Sequence, residues 1–152
     1  YIMELTELFD KYQGLDKDIL KIDSYELRAY RQNLSINKSR QYKAEIYKAN
    51  NPDIIEEAKH IADRLKEILG LQIDLLNSDT NGGHISVARH IFRKYFYDKG
   101  LTLEQVGFLE QKPRTHSTMI HSIKAYEDCK YIKYKIKGHT VDQILNMLTE
   151  CY

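Results

Sequence analysis

Proline, cysteine and tryptophan are the residues this chain uses least. Among 152 residues there are two prolines, two cysteines and no tryptophan, with seven glycines. So few residues that break a helix or force a turn leave room for long helices. Cys129 and Cys151 are widely separated and form no CxxC pair. That pattern excludes a disulfide-stapled scaffold and suggests free thiols in a reducing cytoplasm. No apolar run approaches the roughly 20 residues of a membrane-spanning helix, and no signal-peptide pattern opens the sequence, so a membrane is not an expected partner. The chain begins at Tyr1 without an initiator methionine, which suggests an upstream piece.

Catalytic signatures are also missing. There is no glycine-rich phosphate loop followed by Lys-Ser or Lys-Thr, which excludes a P-loop ATPase module. His116 and His121 lie five apart, not at the i, i+4 spacing of a zinc-binding helix. No Cys/His pair or pair of acids stands out, and Glu56, Glu57, Asp63 and Glu67 read as the wet face of one helix. The expectation is a protein that is not an enzyme, with no cofactor and no metal.

Charge is nearly balanced at +1 but unevenly spread. Residues 84–152 hold 11 Lys and Arg against 7 Asp and Glu, with five of the six histidines, whereas residues 1–83 hold 12 against 15. A basic face on a near-neutral protein is compatible with nucleic acid. A second basic run, Arg28, Arg31, Lys38, Arg40, Lys43 and Lys48, lies in the acidic half and is relieved only by Glu45. Twelve tyrosines interleave with these cations. They either stack bases of single-stranded nucleic acid or fill the margins of a small helical core.

Apolar spacing predicts helices throughout. Ile2 to Tyr12 forms one, ended by Gly14; a second runs from Asp23 or Ser24 to about Leu34, with Leu27, Tyr30 and Leu34 inward. A third covers about Asn37 to Ala49. Asn51-Pro52-Asp53 is a capped helix start, followed by a stripe of Ile54, Ile55, Ala58, Ile61, Ala62, Leu65, Ile68 and Leu69, with Gly70 as the left-handed end. Leu71 to Leu76 reads as a short helical turn and Asn77 to Gly83 as a flexible loop. A helix from Ile85 or Ser86 to about Lys99 packs Val87, Ile91, Tyr95 and Phe96, and gives Arg89, Arg93 and Lys94 reach to solvent or phosphate.

The most informative stretch is TLEQVGFLEQKPRTHSTMIHSIKAY, residues 102–126. Thr102 and Gln105 make a capping box, and Leu103, Val106, Phe108 and Leu109 give a short helix its apolar side. Pro113 breaks the pattern, and Thr115 or Ser117 caps a second helix with Ile120, Ile123 and Tyr126 inward. Arg114, His116, Ser117, Thr118 and His121 cluster at its start without a carboxylate. That arrangement suits the recognition helix of a helix-turn-helix. Beyond Tyr126, YIKYKIK reads as a short strand or a frayed helical end, and Gly138 stops it. Thr140 and Gln143 form another capping box before a last amphipathic helix with Val141, Ile144, Leu145 and Leu148.

The segment RTHSTMIHS resembles the Arg-Asp-His-Thr-Thr-Val-Leu-His signature of the C-terminal, origin-binding domain of the bacterial replication initiator DnaA. Arg114, His116, Thr118 and His121 match in type, and Thr102, Leu103 and Gly107 match the glycine-ended segment upstream. Asp74-Leu75-Leu76 and Val87-Ala88-Arg89 extend the likeness over about residues 53–130. Thr115 stands where the family has an acid, Lys112-Pro113 where it has a glycine pair, and residues 77–83 replace its basic loop.

The resemblance implies an all-α helical bundle containing a helix-turn-helix of the DnaA C-terminal type. A helical region, residues 1–50, would precede it for packing or oligomerisation, and an extension, 131–152, would follow. It implies a sequence-preferring double-stranded DNA-binding protein of replication or transcription control, cytoplasmic and nucleoid-associated. Arg114, Thr115, His116, Ser117, Thr118 and His121 would face the major groove, and Arg114 can make a bidentate contact to guanine. The backbone amides of Leu103 and Glu104 would hold a phosphate, with Lys112, Lys124 and Arg89 as electrostatic anchors. Two alternatives stand beside this reading. One is a helical adaptor, phage- or plasmid-borne, that has lost box-specific DNA reading. The other is a stand-alone replication or transcription regulator that dimerises through its N-terminal helices, whereas the adaptor would form a homo-oligomer or partner complex through its N- or C-terminal helices, residues 1–50 or 140–150.

Overall fold

The computed structural model describes residues 17–80 and 82–150. Among the described residues the fold is all-α with one two-stranded hairpin. The chain divides after Lys43 into two compact units. Helix α1 covers Lys17–Asn50, where spacing predicts two helices. Nothing in Ser35-Ile36-Asn37 breaks a helix: serine and asparagine cost only a few tenths of a kcal/mol each relative to better formers. The helix expected over Ile2 to Tyr12 and the side chains of Leu27, Tyr30 and Leu34 lie outside the described residues.

The second unit starts with the last turns of α1, where Ala44 is buried and the Tyr47 ring meets Phe108 at 5.8 Å. Asn51 does not cap the next helix with its side chain. Its Nδ2 instead donates to the Tyr47 carbonyl at 2.8 Å, four residues back. Helix α2, Pro52–Leu69, then begins on a proline, which has no amide hydrogen to satisfy. Its inward stripe is Ala58, Ile61, Ala62, Leu65 and Leu69, as the spacing predicts. Glu57, expected on the wet face, is buried instead. Its Oε1 accepts from the Tyr95 hydroxyl at 2.9 Å and pairs with the Lys99 ammonium. Residues 71–76 are not helical; Asp74 organises them by accepting from the Leu76 amide and the Asn77 Nδ2.

Helix α3, Gly83–Asp98, runs through the core. Val87, Ala88, Ile91, Phe92, Tyr95 and Phe96 are buried on it, with Phe92 and Tyr95 each 5.0 Å from the Phe96 ring. Helices α4, Leu103–Phe108, and α5, His116–Tyr131, follow. Strands β1, Lys135–Ile136, and β2, His139–Thr140, pair antiparallel around Lys137-Gly138, whose φ values of 50° and 82° are the pattern of a type I′ turn. Helix α6, Val141–Glu150, starts on the Thr140/Gln143 capping box and packs Val141, Ile144 and Leu148 against α2, α3 and α5. Residues 131–150 therefore share the core of the unit that carries 53–130.

Three helices end in the same backbone motif. After α2 the Leu71 amide reaches Lys66 O, after α3 the Leu101 amide reaches Phe96 O, and after α5 the Tyr134 amide reaches Cys129 O. Each end is a six-to-one bond over a residue with positive φ, the Schellman arrangement. That residue is Gly70, Gly100 and Lys133 respectively, with φ of 61°, 110° and 55°. A lysine in this conformation carries a strain of roughly 1–2 kcal/mol that glycine avoids.

Candidate nucleic-acid interface

The Thr102/Gln105 capping box forms: Thr102 Oγ1 accepts the Gln105 amide at 3.2 Å, and Gln105 Oε1 accepts the Thr102 amide at 3.0 Å. It leaves the Leu103 and Glu104 amides outside the box. Val106, Gly107, Phe108, Leu109 and Glu110 are all buried. The chain then turns sharply, and two backbone bonds hold the turn: Gln111 N to Leu76 O at 3.0 Å and Arg114 N to Gly107 O at 3.1 Å. Gly107 is required by this approach, because a Cβ there would meet Arg114 O at 2.8 Å. Of the two candidate caps, Thr115 is the one used; its Oγ1 accepts the Thr118 amide at 3.2 Å and lies 2.8 Å from the Thr118 hydroxyl.

Helix α5 is held from one side. Met119, Ser122 and Tyr126 are buried, and the Tyr126 hydroxyl donates to Asp142 Oδ1 at 2.6 Å. Burial, and then that carboxylate, raise the Tyr126 pKa far above its ordinary value. Ile120, expected inward, is 49% exposed, because the buried stripe starts one position earlier, through 119 and 122, before it reaches 126. The open face carries His116, Ser117, Ile120, His121 and Lys124. At 100° per residue these fall within an arc of about 140°. The first acidic residue of α5 is Glu127, whose carboxylate is taken by Lys94 at 3.3 Å.

Beneath this face lies a buried ionic cluster. Arg93 grips Glu110 from both sides of its guanidinium edge, with Nε to Oε2 at 3.2 Å and Nη2 to Oε1 at 3.0 Å, and its Nη1 donates to Ser122 Oγ at 3.0 Å. His90 Nδ1 meets the same hydroxyl at 2.6 Å. Burial, with Arg93 and Arg89 beside it, pushes the His90 pKa down to about 4, so its ring is neutral at pH 7. Arg89 corrects two expectations at once. It is 3% exposed, not a surface anchor, and its guanidinium donates to the carbonyls of Ser78 and Thr80. Ser78 and Thr80, in a stretch expected to be flexible, are thereby tied to α3. Arg93, expected to reach solvent, is buried as well. The physical reason is shared: α3 is enclosed on most sides, and Glu110 supplies the charge that makes buried guanidinium groups tolerable.

Arg114 bridges the buried cluster and the open face. Its Nε lies 3.7 Å from Glu110 Oε1, and its Nη2 lies 3.5 Å from Asp79 Oδ1, a carboxylate that is 77% exposed. No family model, curated protein or solved structure matches this chain. Of the residues singled out in sequence, His116, Ser117, His121 and Lys124 share one exposed face, with Thr115 and the half-buried Thr118 at its base. Lys112 is exposed in the preceding turn, and Glu104 is exposed and Leu103 half-buried at the start of α4. Glu110, Ser122 and His90 were not singled out in sequence. The available signal was the i, i+4 pair Arg89/Arg93 on a helix whose apolar residues occupy 87, 88, 91, 92, 95 and 96, too broad a stripe to leave both arginines wet.

Proposed function

We propose that this chain binds double-stranded DNA with sequence preference through α5, without chemistry of its own, in the manner of the replication-initiator domain that its 102–126 segment resembles. One observation carries the reading. The first three turns of α5 offer His116, Ser117, Ile120, His121 and Lys124 outward with no carboxylate among them, on a helix locked from behind by Met119, Ser122 and Tyr126. Side chains on a rigid helix that donate hydrogen bonds or carry positive charge match base edges and phosphates of a major groove. Lys112 and Lys124 supply phosphate contacts. Arg114 reaches guanine by exchanging Asp79 for the base, while Glu110 keeps hold of its Nε side. A bidentate contact of that kind contributes about 1–3 kcal/mol of discrimination.

Ile120 favours a second reading, the helical adaptor, because an apolar side chain stands in the middle of the face. A thymine methyl accounts for it equally well. Fluorescence anisotropy with a pool of random duplexes at two salt concentrations, followed by sequencing of the bound fraction, separates the two. Steep weakening with salt and enrichment of one motif are expected. Binding that is absent or indifferent to salt would remove the DNA assignment and leave the adaptor.

A further inference from the structure

A second basic surface follows the far end of α5. Lys130, Lys133, Lys135 and Lys137 occur at intervals of two or three, with no acidic residue between Asp128 and Asp142. Two of the four have structural partners. Lys130 lies 3.7 Å from Asp142, and the Lys137 ammonium sits where a Gly70 Cβ would project, over the C-terminal end of α2, a favourable place for a cation. Lys133 and Lys135 are exposed, and among the described residues no carboxylate pairs with either. Tyr131 beside them is 89% exposed. It stands seven residues after Lys124 and so continues the open stripe of α5. The acids that flank the stretch in sequence are the exposed Asp128, Glu127, which lies 3.3 Å from Lys94, and Asp142, which lies 3.7 Å from Lys130.

Lys133 carries a second, independent mark. It occupies the left-handed position that glycine fills at the ends of α2 and α3. The Lys133 amide donates to the Lys130 carbonyl at 3.1 Å, but its side chain meets no carboxylate among the described residues, and a strained residue of that kind points to a use for its side chain. The hairpin that follows holds Lys135 in a fixed direction, because the positive-φ turn at Lys137-Gly138 leaves the two strands little freedom.

We propose that Lys133 and Lys135, with the exposed Tyr131 near them in the chain, form a second contact to DNA, made to the phosphate backbone and indifferent to sequence. The inference rests on the assignment of α5 as the helix that meets the groove. A 16-residue helix is about 24 Å long, so the phosphates held here are well separated from the bases that His116 meets. The contact supplies general affinity and orients α5, while the α5 face supplies preference.

The test compares the full chain with Lys133→Gly, Lys135→Ala and His116→Ala by anisotropy across a salt series. Two labelled duplexes about three turns long are used, one of random sequence and one carrying the selected motif. Lys133→Gly should flatten the salt dependence by about one unit of slope and weaken both duplexes several-fold to a similar degree. It should also raise Tm by a few degrees, since glycine relieves the left-handed strain. Lys135→Ala should repeat the DNA effect with little change in Tm, and His116→Ala should affect mainly the selected motif. If Lys133→Gly and Lys135→Ala keep the parental slope while His116→Ala loses the motif, the second contact is overturned and the reading of α5 stands. Weakening confined to the selected motif also overturns it, because the lysines would then be reading bases. If the parent binds neither duplex in a salt-sensitive way, both assignments fall, and the surface belongs to an acidic protein partner instead.

Discussion

Helices α3 and α5 are each 16 residues long and carry similar numbers of cationic and histidine side chains, yet they dispose of them in opposite ways. α3 turns Arg89 and Arg93 inward onto Glu110 and the loop carbonyls; α5 turns His116, His121 and Lys124 outward. The difference follows from enclosure. A helix packed on most sides must neutralise its charges within the fold, whereas one packed along a single stripe leaves them available to a ligand. A cation is therefore not evidence of a binding surface until its partners are known.

The comparison breaks most completely at Glu110. Glu110→Ala leaves Arg93 buried without its carboxylate, and chemical denaturation should show a loss of about 3–5 kcal/mol. A mutant as stable as the parent would mean the cluster is not what holds α3 to the turn. Gly107→Ala comes next. Its new Cβ presses on the Arg114 carbonyl, so about 1–3 kcal/mol of stability should be lost, with duplex binding weakened because the entry to α5 moves. Melting curves and anisotropy on one preparation read both effects.

pH sharpens the contrast between buried and exposed histidines. His90 titrates near 4 in the fold against about 6.5 when unfolded, so the unfolded chain takes up the proton first. Its contribution to stability is complete above about pH 6.5 and is lost as pH falls toward about 4. Urea titrations through that window should show the decline, and His90→Gln should make it shallower. The smallest structural effect belongs to Lys124→Ala on the open face. Its stability should stay within about 0.5 kcal/mol of the parent, while the salt dependence of duplex binding drops by about one unit of slope.

Local chemistry was legible in the chain itself. The capping boxes at Thr102/Gln105 and Thr140/Gln143, the α2 stripe, and the helix ends at Gly70 and Gly100 all form as their residues predict. Such features depend on neighbours within a few positions, so spacing is enough to find them. The third end at Lys133 was invisible because lysine gives no sign of a left-handed backbone. Glu57 departs from its spacing for a related reason: its partners, Tyr95 and Lys99, lie on and just past the end of another helix.

In the candidate interface the same division holds. Spacing alone determined that a short capped helix, a proline-marked turn and a second helix follow one another, and that the second begins with Arg114, Thr115, His116, Ser117 and Thr118. Tertiary packing decided which of these cations are available. Arg89 sits inside, Arg114 is shared between Glu110 and Asp79, and Lys124 stands in water. The reason is electrostatic: a guanidinium can be buried only where a carboxylate distant in sequence is brought to meet it, and that meeting is made by the fold.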